Sequence, residues 1–574
     1  MKPNTLVEYT FIPPLFQIMY QLLKKMNQKE LLTCRAVCTS LKEMIDSKIQ
    51  FHCYLNSDKI QMLPKPEMSI DRYTIGFLPL QLPYKFLLTL KPPKQLSITK
   101  RISKIDLFFL AYLWSPTIQE LDFSLFALES TGLFRTQTST RAPTGPMSMT
   151  EYFPEAKKLS LSLVAPYEKF VKGIYYRLQM HKMCSNLQRM SEAPMCLHLT
   201  HLQFNFENFP HFWQPYQCYF MAVVFLIVAK SASTLRHLDV KFKLKQLADA
   251  PKAPDHASIA NHHKLVNQHL GVLHEMLPNG LPKVQCSYIR FKIGSLQPCS
   301  TERAVCDWIP KIISQQRSLE HLTLETIHGL NVISYSVKQV LPQNYSTLVK
   351  IDLKIELDEE EYFDLSHLAL CNNLNTLRLI NATSKENSND PNQIKRHDSD
   401  YHCYRYSSAS FRNKFPYFSA KAKIPNLIFS DSKAFPTELR YVSFRGFTTN
   451  LPIMAELVQA IQNMQCMFLE DNYIQSHRTE TGFDFFEKVW SSESLKFVTF
   501  LPTCSGELMR SLYRNSKCHM KIEKVMETLN EKGWELQWDF DETECKVANP
   551  NPNGFVLKKS ADVTNSMREN IIFD

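Results

Sequence analysis

Four histidines, His262, His263, His269 and His274, crowd one short segment. Imidazoles hold a metal when two of them share a helix face at i, i+4 and further ligands join them. Here neither His263/His269 nor His269/His274 has that spacing, and no Cys pair or carboxylate completes a ligand set. The segment reads as a surface helix carrying histidines. Cys34 and Cys38 stand one helical turn apart, a spacing that equally suits packing. Tyr404, Tyr406, Phe411, Phe415 and Tyr417 alternate with Arg405, Arg412 and Lys414. Rings and cations in that order either clamp single-stranded nucleic acid or anchor a polar insertion loop. The acidic run Asp358 to Glu361 reads as a solvated helix start, where negative charge suits the dipole. No phosphate loop, nucleophile elbow or HExxH pattern is present, so no catalytic residue is nominated and neither metal nor cofactor is expected.

Bulk properties narrow the class. At 574 residues the chain has room for several domains or one repeat array. Its 44% hydrophobic content supports a sizeable core. Thirteen glycines are few for Gly-rich loops. The fifteen cysteines are odd in number, irregularly spaced and without a CxxC pair. With no basic, apolar leader in Met1 to Thr10, they are expected to be reduced thiols in a cytoplasmic or nuclear protein. The longest apolar run, Cys218 to Ala229, is too short for a span and is expected to be a buried helix. The net charge of +10 suits acidic partners without requiring nucleic acid, and neither a nucleic-acid nor a membrane partner is expected.

Residues 8–52 hold two helical patterns. Phe16, Met19 or Tyr20, and Leu23 follow Pro13 and Pro14, which are tolerated at a helix start. Asn27 then offers an N-cap with Glu30 three residues on, a capping-box arrangement. Leu31, Cys34, Cys38, Leu41 and Ile45 make an i, i+3, i+4 stripe with Leu32 and Val37 beside it. The segment resembles an F-box: Ile12-Pro13 opens it, Glu30-Leu31-Leu32 forms its turn, Val37-Cys38 its pair, Leu41 its bulky position and Phe51 its closing aromatic. The resemblance implies docking to the adaptor subunit of SCF-type cullin-RING ubiquitin ligases and, through it, to cullin and RING subunits. It assigns contact roles to Pro13, Phe16, Leu31, Leu32, Val37, Cys38 and Leu41, some of which must instead pack within the module. An ordinary helical cap on the following array is the alternative.

The elements that would position a binding surface come after it. A phrase of the form Leu-x-x-Leu-x-Leu recurs at Leu235/Leu238/Val240, Leu319/Leu322/Leu324, Leu348/Ile351/Leu353 and Leu374/Leu377/Leu379. It returns at Leu199/Leu202/Phe204, Leu439/Val442/Phe444, Met464/Met467/Leu469 and Leu495/Val498/Phe500, with weaker copies at Leu96/Ile98, Leu121/Phe123 and Leu159/Leu161. Such units build one strand and one helix each. The chain is similar to F-box proteins with leucine-rich repeats. The expected fold is α/β: a helical F-box-like module at 8–52, a connecting segment at 53–95, and an irregular leucine-rich-repeat solenoid (a horseshoe) at 96–540. A polar insertion is expected at about 383–436 and a flexible tail at 541–574. A generic α/β domain with Leu-rich strands is the alternative.

Residues alternate faces along a strand, so neighbours of the buried leucines line the exposed, concave face. His237, Lys241, Arg290, Lys292 and His321 are expected there, with Lys350, Lys354, Arg378 and Arg445. The bases outnumber the acids, which suggests acidic or phosphorylated segments of an unidentified target protein as ligands. The expected function is the substrate-recognition subunit of an SCF-type ligase, itself non-catalytic. A repeat scaffold without ligase is the alternative.

Overall fold

A computed structural model gives the architecture. It describes residues 28–37, 51–56, 70–77, 91–98, 104–124, 153–162, 198–210, 231–245, 284–293, 308–326 and 341–355. It further describes 362–364, 370–381, 426–428, 438–449, 451–470, 473–474, 491–501, 533–540 and 552–559, with isolated positions between. The chain forms two compact units, Met1–Glu207 with Leu226–Leu235, and Asn208–Phe225 with Arg236–Asp574.

In the first unit six strands lie in chain order: β1 (Phe51–Asn56), β2 (Ile70–Phe77), β3 (Gln95–Ile98), β4 (Glu120–Ser124), β5 (Lys158–Ser162) and β6 (His201–Pro210). All neighbouring pairs are parallel. The leucine positions stay in one column, Leu96↔Leu121↔Leu159↔Leu202. Every residue of that column is buried. Polar residues take the other face, giving β5 its strict alternation of half-buried and buried positions. Helix α2 (Lys104–Trp114) connects β3 to β4, after α1 (Gln28–Val37) nearer the N-terminus. Trp114 at the end of α2 is buried and stacks on Tyr73 of β2 with ring centroids 5.1 Å apart.

The second unit repeats the scheme. Strands β7 (His237–Lys245), β8 (Tyr288–Ile293), β9 (His321–Thr326), β10 (Lys350–Ile355), β12 (Thr376–Asn381), β14 (Tyr441–Arg445), β16 (Cys466–Glu470) and β18 (Phe497–Leu501) lie side by side and parallel. An antiparallel pair, β19 (Trp534–Phe540) and β20 (Pro552–Lys559), ends the row, with β20 against β18. A second small sheet joins β11 (Tyr362–Asp364), β13 (Asn426–Ile428), β15 (Thr448–Thr449) and β17 (Tyr473–Ile474), all parallel. Helices α3 (Trp308–Ser314) and α4 (Leu451–Ala460) bury Ile309, Ile312 and Ile313, and Met454, Leu457 and Val458.

One backbone device recurs at many of the strand entrances. The carbonyl just before a strand accepts the two N–H groups that open the next strand. Ser287 O receives Glu320 N at 2.8 Å and His321 N at 3.0 Å. Glu320 O then receives Val349 and Lys350, and Val349 O receives Asn375 and Thr376. Each entering strand is thereby fixed in register, and a slip by one residue would expose the leucine column.

Polar side chains reinforce this between turns. Thr234 donates to Leu199 O and Thr347 to Leu319 O, each at 2.8 Å. Asn344, fully buried, accepts from Leu319 N at 2.9 Å and donates to Gln316 O at 2.9 Å. Gln316, also fully buried, accepts from Cys286 N and donates to Val284 O and Ile312 O. Backbone groups buried at the turns are thus satisfied by amides rather than by water.

Several expected boundaries are corrected. The parallel ladder starts at Phe51, well before residue 96: β1 and β2 occupy much of the expected connector 53–95 because they pair in register with each other and with β3. The expected tail 541–574 contains β20, whose alternating Phe555 and Leu557 pair with β18 and β19. The insertion at 383–436 contributes β13 to the second sheet, which lengthens the connection between neighbouring strands β12 and β14. The acidic run at 358–361, ahead of strand β11, lies outside the described residues. Around Cys218–Ala229, Val224, Phe225, Ile227 and Val228 are buried, matching the expected buried apolar segment. Among the described residues no helix is long and apolar enough to cross a membrane. The aromatic-basic stretch 404–417 and the four clustered histidines lie outside the described residues.

Candidate functional site

The two-residue period of each strand buries the apolar residues and turns their neighbours to the opposite face. In-register pairing then lines those neighbours up across the sheet. In the second unit one row runs His237, Tyr288, His321, Lys350 and Thr376. The next runs Asp239, Arg290, Thr323, Asp352 and Arg378. A third runs Lys241, Lys292, Glu325, Lys354 and Ile380. Eight of the nine sequence-nominated residues of the face fall in these rows. Arg445 continues the third row on β14: its register partners are Ile380 and Glu470, so an apolar residue stands between it and Lys354.

Ion pairs organise the middle row. Arg290 Nη1 lies 3.6 Å from Asp239 Oδ2, and Arg378 Nη1 lies 3.5 Å from Asp352 Oδ2. Both pairs put the carboxylate on the earlier strand and the guanidinium on the next. Both carboxylates are deeply buried, Asp239 at 4% and Asp352 at 7% exposure. In the third row Glu325 is shared by Lys354 at 3.3 Å and Lys292 at 3.9 Å. In the first row His237 and Tyr288 stack with centroids 3.9 Å apart, His321 tilts against Tyr288, and Arg290 sits 5.6 Å from the Tyr288 ring centre.

The electrostatics follow from crowding half-buried charges. Burial pushes the Lys350 ammonium below its ordinary range; Arg290, Arg378 and Lys292 push the same way, against Asp352. Lys292 is lowered by burial with Arg290 and Lys241, against Glu325 and Asp352. Burial raises the Asp352 carboxyl, opposed chiefly by Arg378 and Lys350. His321 is lowered by burial and by Lys350, against Glu320. Across β8 to β12 five cations, Arg290, Lys292, Lys350, Lys354 and Arg378, face two carboxylates, Glu325 and Asp352. The rows form a charged, hydrogen-bonding surface suited to recognition.

The N-terminal candidates divide differently. Leu31 is buried at 6% exposure, so it packs inside the protein and is removed from the expected contact set. Val37, at the end of the same helix, is 70% exposed, and Leu41 is half-buried. Leu23 and Ile45 are buried. Among the described residues of 8–52, α1 is a helix and Leu23, Thr39, Leu41, Lys42 and Ile45 are helical as well; they do not by themselves establish the expected F-box-like module. Pro13, Phe16 and Cys38 lie outside the described residues, as does the side chain of Leu32.

Two things escaped the sequence reading. Tyr288, which takes the place in β8 that His237 takes in β7, was hidden because Cys286/Ile289/Phe291 replaces the leucine phrase. Asn344 and Gln316 sit ahead of their strands at positions no phrase marks. Among the described residues no group of three or more His, Cys, Asp or Glu side chains is placed to hold a metal ion. Compared with known proteins, the sequence matches no family model and no curated protein.

Proposed function

We propose that this chain is a non-catalytic recognition subunit: the strand ladder holds a target protein, and the N-terminal segment docks to the adaptor of an SCF-type ubiquitin ligase. The observation that carries the first half is the set of three in-register rows on β7 to β12, a preformed face of ion-paired and aromatic side chains. Side chains fixed by their neighbours lose little freedom when a partner arrives. The second half rests on the F-box resemblance. It is supported by Val37, an apolar side chain of the Val-Cys pair left 70% exposed on a helix whose Leu31 anchors inward. Such an arrangement would bring a bound target's lysines to the ligase at raised effective concentration.

The test is calorimetric titration of the purified full-length chain with the ligase adaptor. Val37→Asp is the decisive variant because the residue is exposed and its replacement leaves the core intact. An unpaired carboxylate in an apolar contact costs several kcal/mol, so affinity should fall by about 100-fold. A wild-type chain that does not bind the adaptor would leave a recognition scaffold without ligase association.

A further inference from the structure

We infer that the face of β8 to β12 is a phosphate-reading site, taking an extended phosphorylated segment whose phosphoryl group sits among Lys350, Arg290, Lys292 and Arg378. The inference rests on the recognition reading above and names its ligand class. The register brings Arg290 and Lys292 on β8 within two strands of Lys350 on β10, with Arg378 next door on β12. At about 4.8 Å per strand and 3.3 Å per residue, the patch measures about 14 Å across and about 13 Å along the strands. That is the reach of a few residues of extended peptide.

The charge count gives the sign of the ligand. Five cations stand against three carboxylates, Asp352, Glu325 and, from β7, Asp239, which leaves the patch net positive although these carboxylates are engaged by Arg378, by the two lysines and by Arg290. These side chains keep a minor part of their surface open: exposure is 22% for Arg290, 23% for Lys292 and 25% for Arg378. Burial is the main cause that lowers Lys292 and Lys350, and the neighbouring cations push the same way. Arg and Lys in this combination suit phosphate, the one by paired donors, the other as a point charge.

The rows also favour a peptide over a nucleic acid. The ring best placed for stacking, Tyr288, already faces His237 on one side and His321 on the other. The carboxylates Asp239, Asp352 and Glu325 interrupt the cations, which opposes a continuous polyanion. They suit a segment that carries one strong negative group amid backbone N–H donors.

The experiment applies the full-length chain to immobilised peptides bearing one central phosphoserine between randomised flanks, beside the same peptides unphosphorylated. Inorganic phosphate and a single-stranded oligonucleotide serve as competitors, and thermal unfolding is followed for each variant. The expected result is at least tenfold more binding to the phosphorylated set. Lys350→Gln should lose that preference at unchanged melting temperature, Lys350→Arg should keep it, and Lys94→Glu, an exposed position in the other unit, should not affect it. Equal binding to both sets, or a preference indifferent to Lys350→Gln, overturns the inference. So does displacement by the oligonucleotide at lower concentration than by free phosphopeptide, or by inorganic phosphate as readily as by phosphopeptide. Adaptor binding is unaffected by any of these outcomes, so failure here is distinguishable from failure of the ligase reading.

Discussion

At the scale of single residues, burial decides chemistry. Cys286, Cys371 and Cys466 are fully buried, and burial pushes their thiols up to about 12, about 12 and about 11. Thiolates, not thiols, react. These three should therefore resist iodoacetamide at pH 8 in the folded protein and label on unfolding, as peptide mass mapping would read; rapid native labelling would contradict their placement. His321 carries a pH signature. Burial holds its pKa below the ordinary 6.5, so below pH 6.5 the unfolded chain takes up a proton that the folded chain resists. Stability from this group is full above 6.5 and is lost as pH falls towards its folded pKa. His201 in the other unit acts in the same sense, mainly through burial and then Lys158. His321→Gln should shrink the fall in melting temperature between pH 7.5 and 5.5; an unchanged slope would show that the imidazole is solvated.

At the scale of elements, the leucine phrase carried most of what was legible. It marked β7, β9, β10, β12, β14, β16 and β18, because a buried column demands an apolar residue at fixed offsets in each strand. The alternation puts all nine nominated side chains, Arg445 included, on the face opposite the leucine column. What it missed has physical causes. β1 and β2 begin Phe-His-Cys-Tyr and Ile-Asp-Arg-Tyr, and the register sets Cys53 and Tyr73, instead of leucines, in line with Leu96. β20 is recruited by antiparallel pairing, a long-range event no local pattern announces. The connections hide their ties as well: Asn344 links the turn ahead of β10 to the turn ahead of β9 through two buried hydrogen bonds. Asn344→Ala should strand Leu319 N–H and Gln316 C=O and cost about 1–3 kcal/mol in urea unfolding. Asn373→Ala, whose single bond to Ser346 O is exposed, should cost less. Equal costs would mean that solvent reaches the Asn344 turn.

At the scale of the whole molecule, the account assigns two tasks to two separate stretches of sequence. Of the residues that the N-terminal resemblance nominates, Val37 is exposed and Leu31 packs inward, a division left open in the sequence because an amphipathic stripe cannot say which of its apolar residues meets a partner and which meets the core. The charged rows belong to the second unit, and nothing in their chemistry requires the N-terminal helix.

The most direct measurement is therefore a crossed titration of the full-length chain, as wild type, Val37→Asp and Lys350→Gln, against ligase adaptor and against phosphopeptide. The account predicts that Val37→Asp loses the adaptor and keeps the phosphopeptide, while Lys350→Gln does the reverse. Loss of both ligands by either variant, or of neither by both, would contradict two separable recognition surfaces.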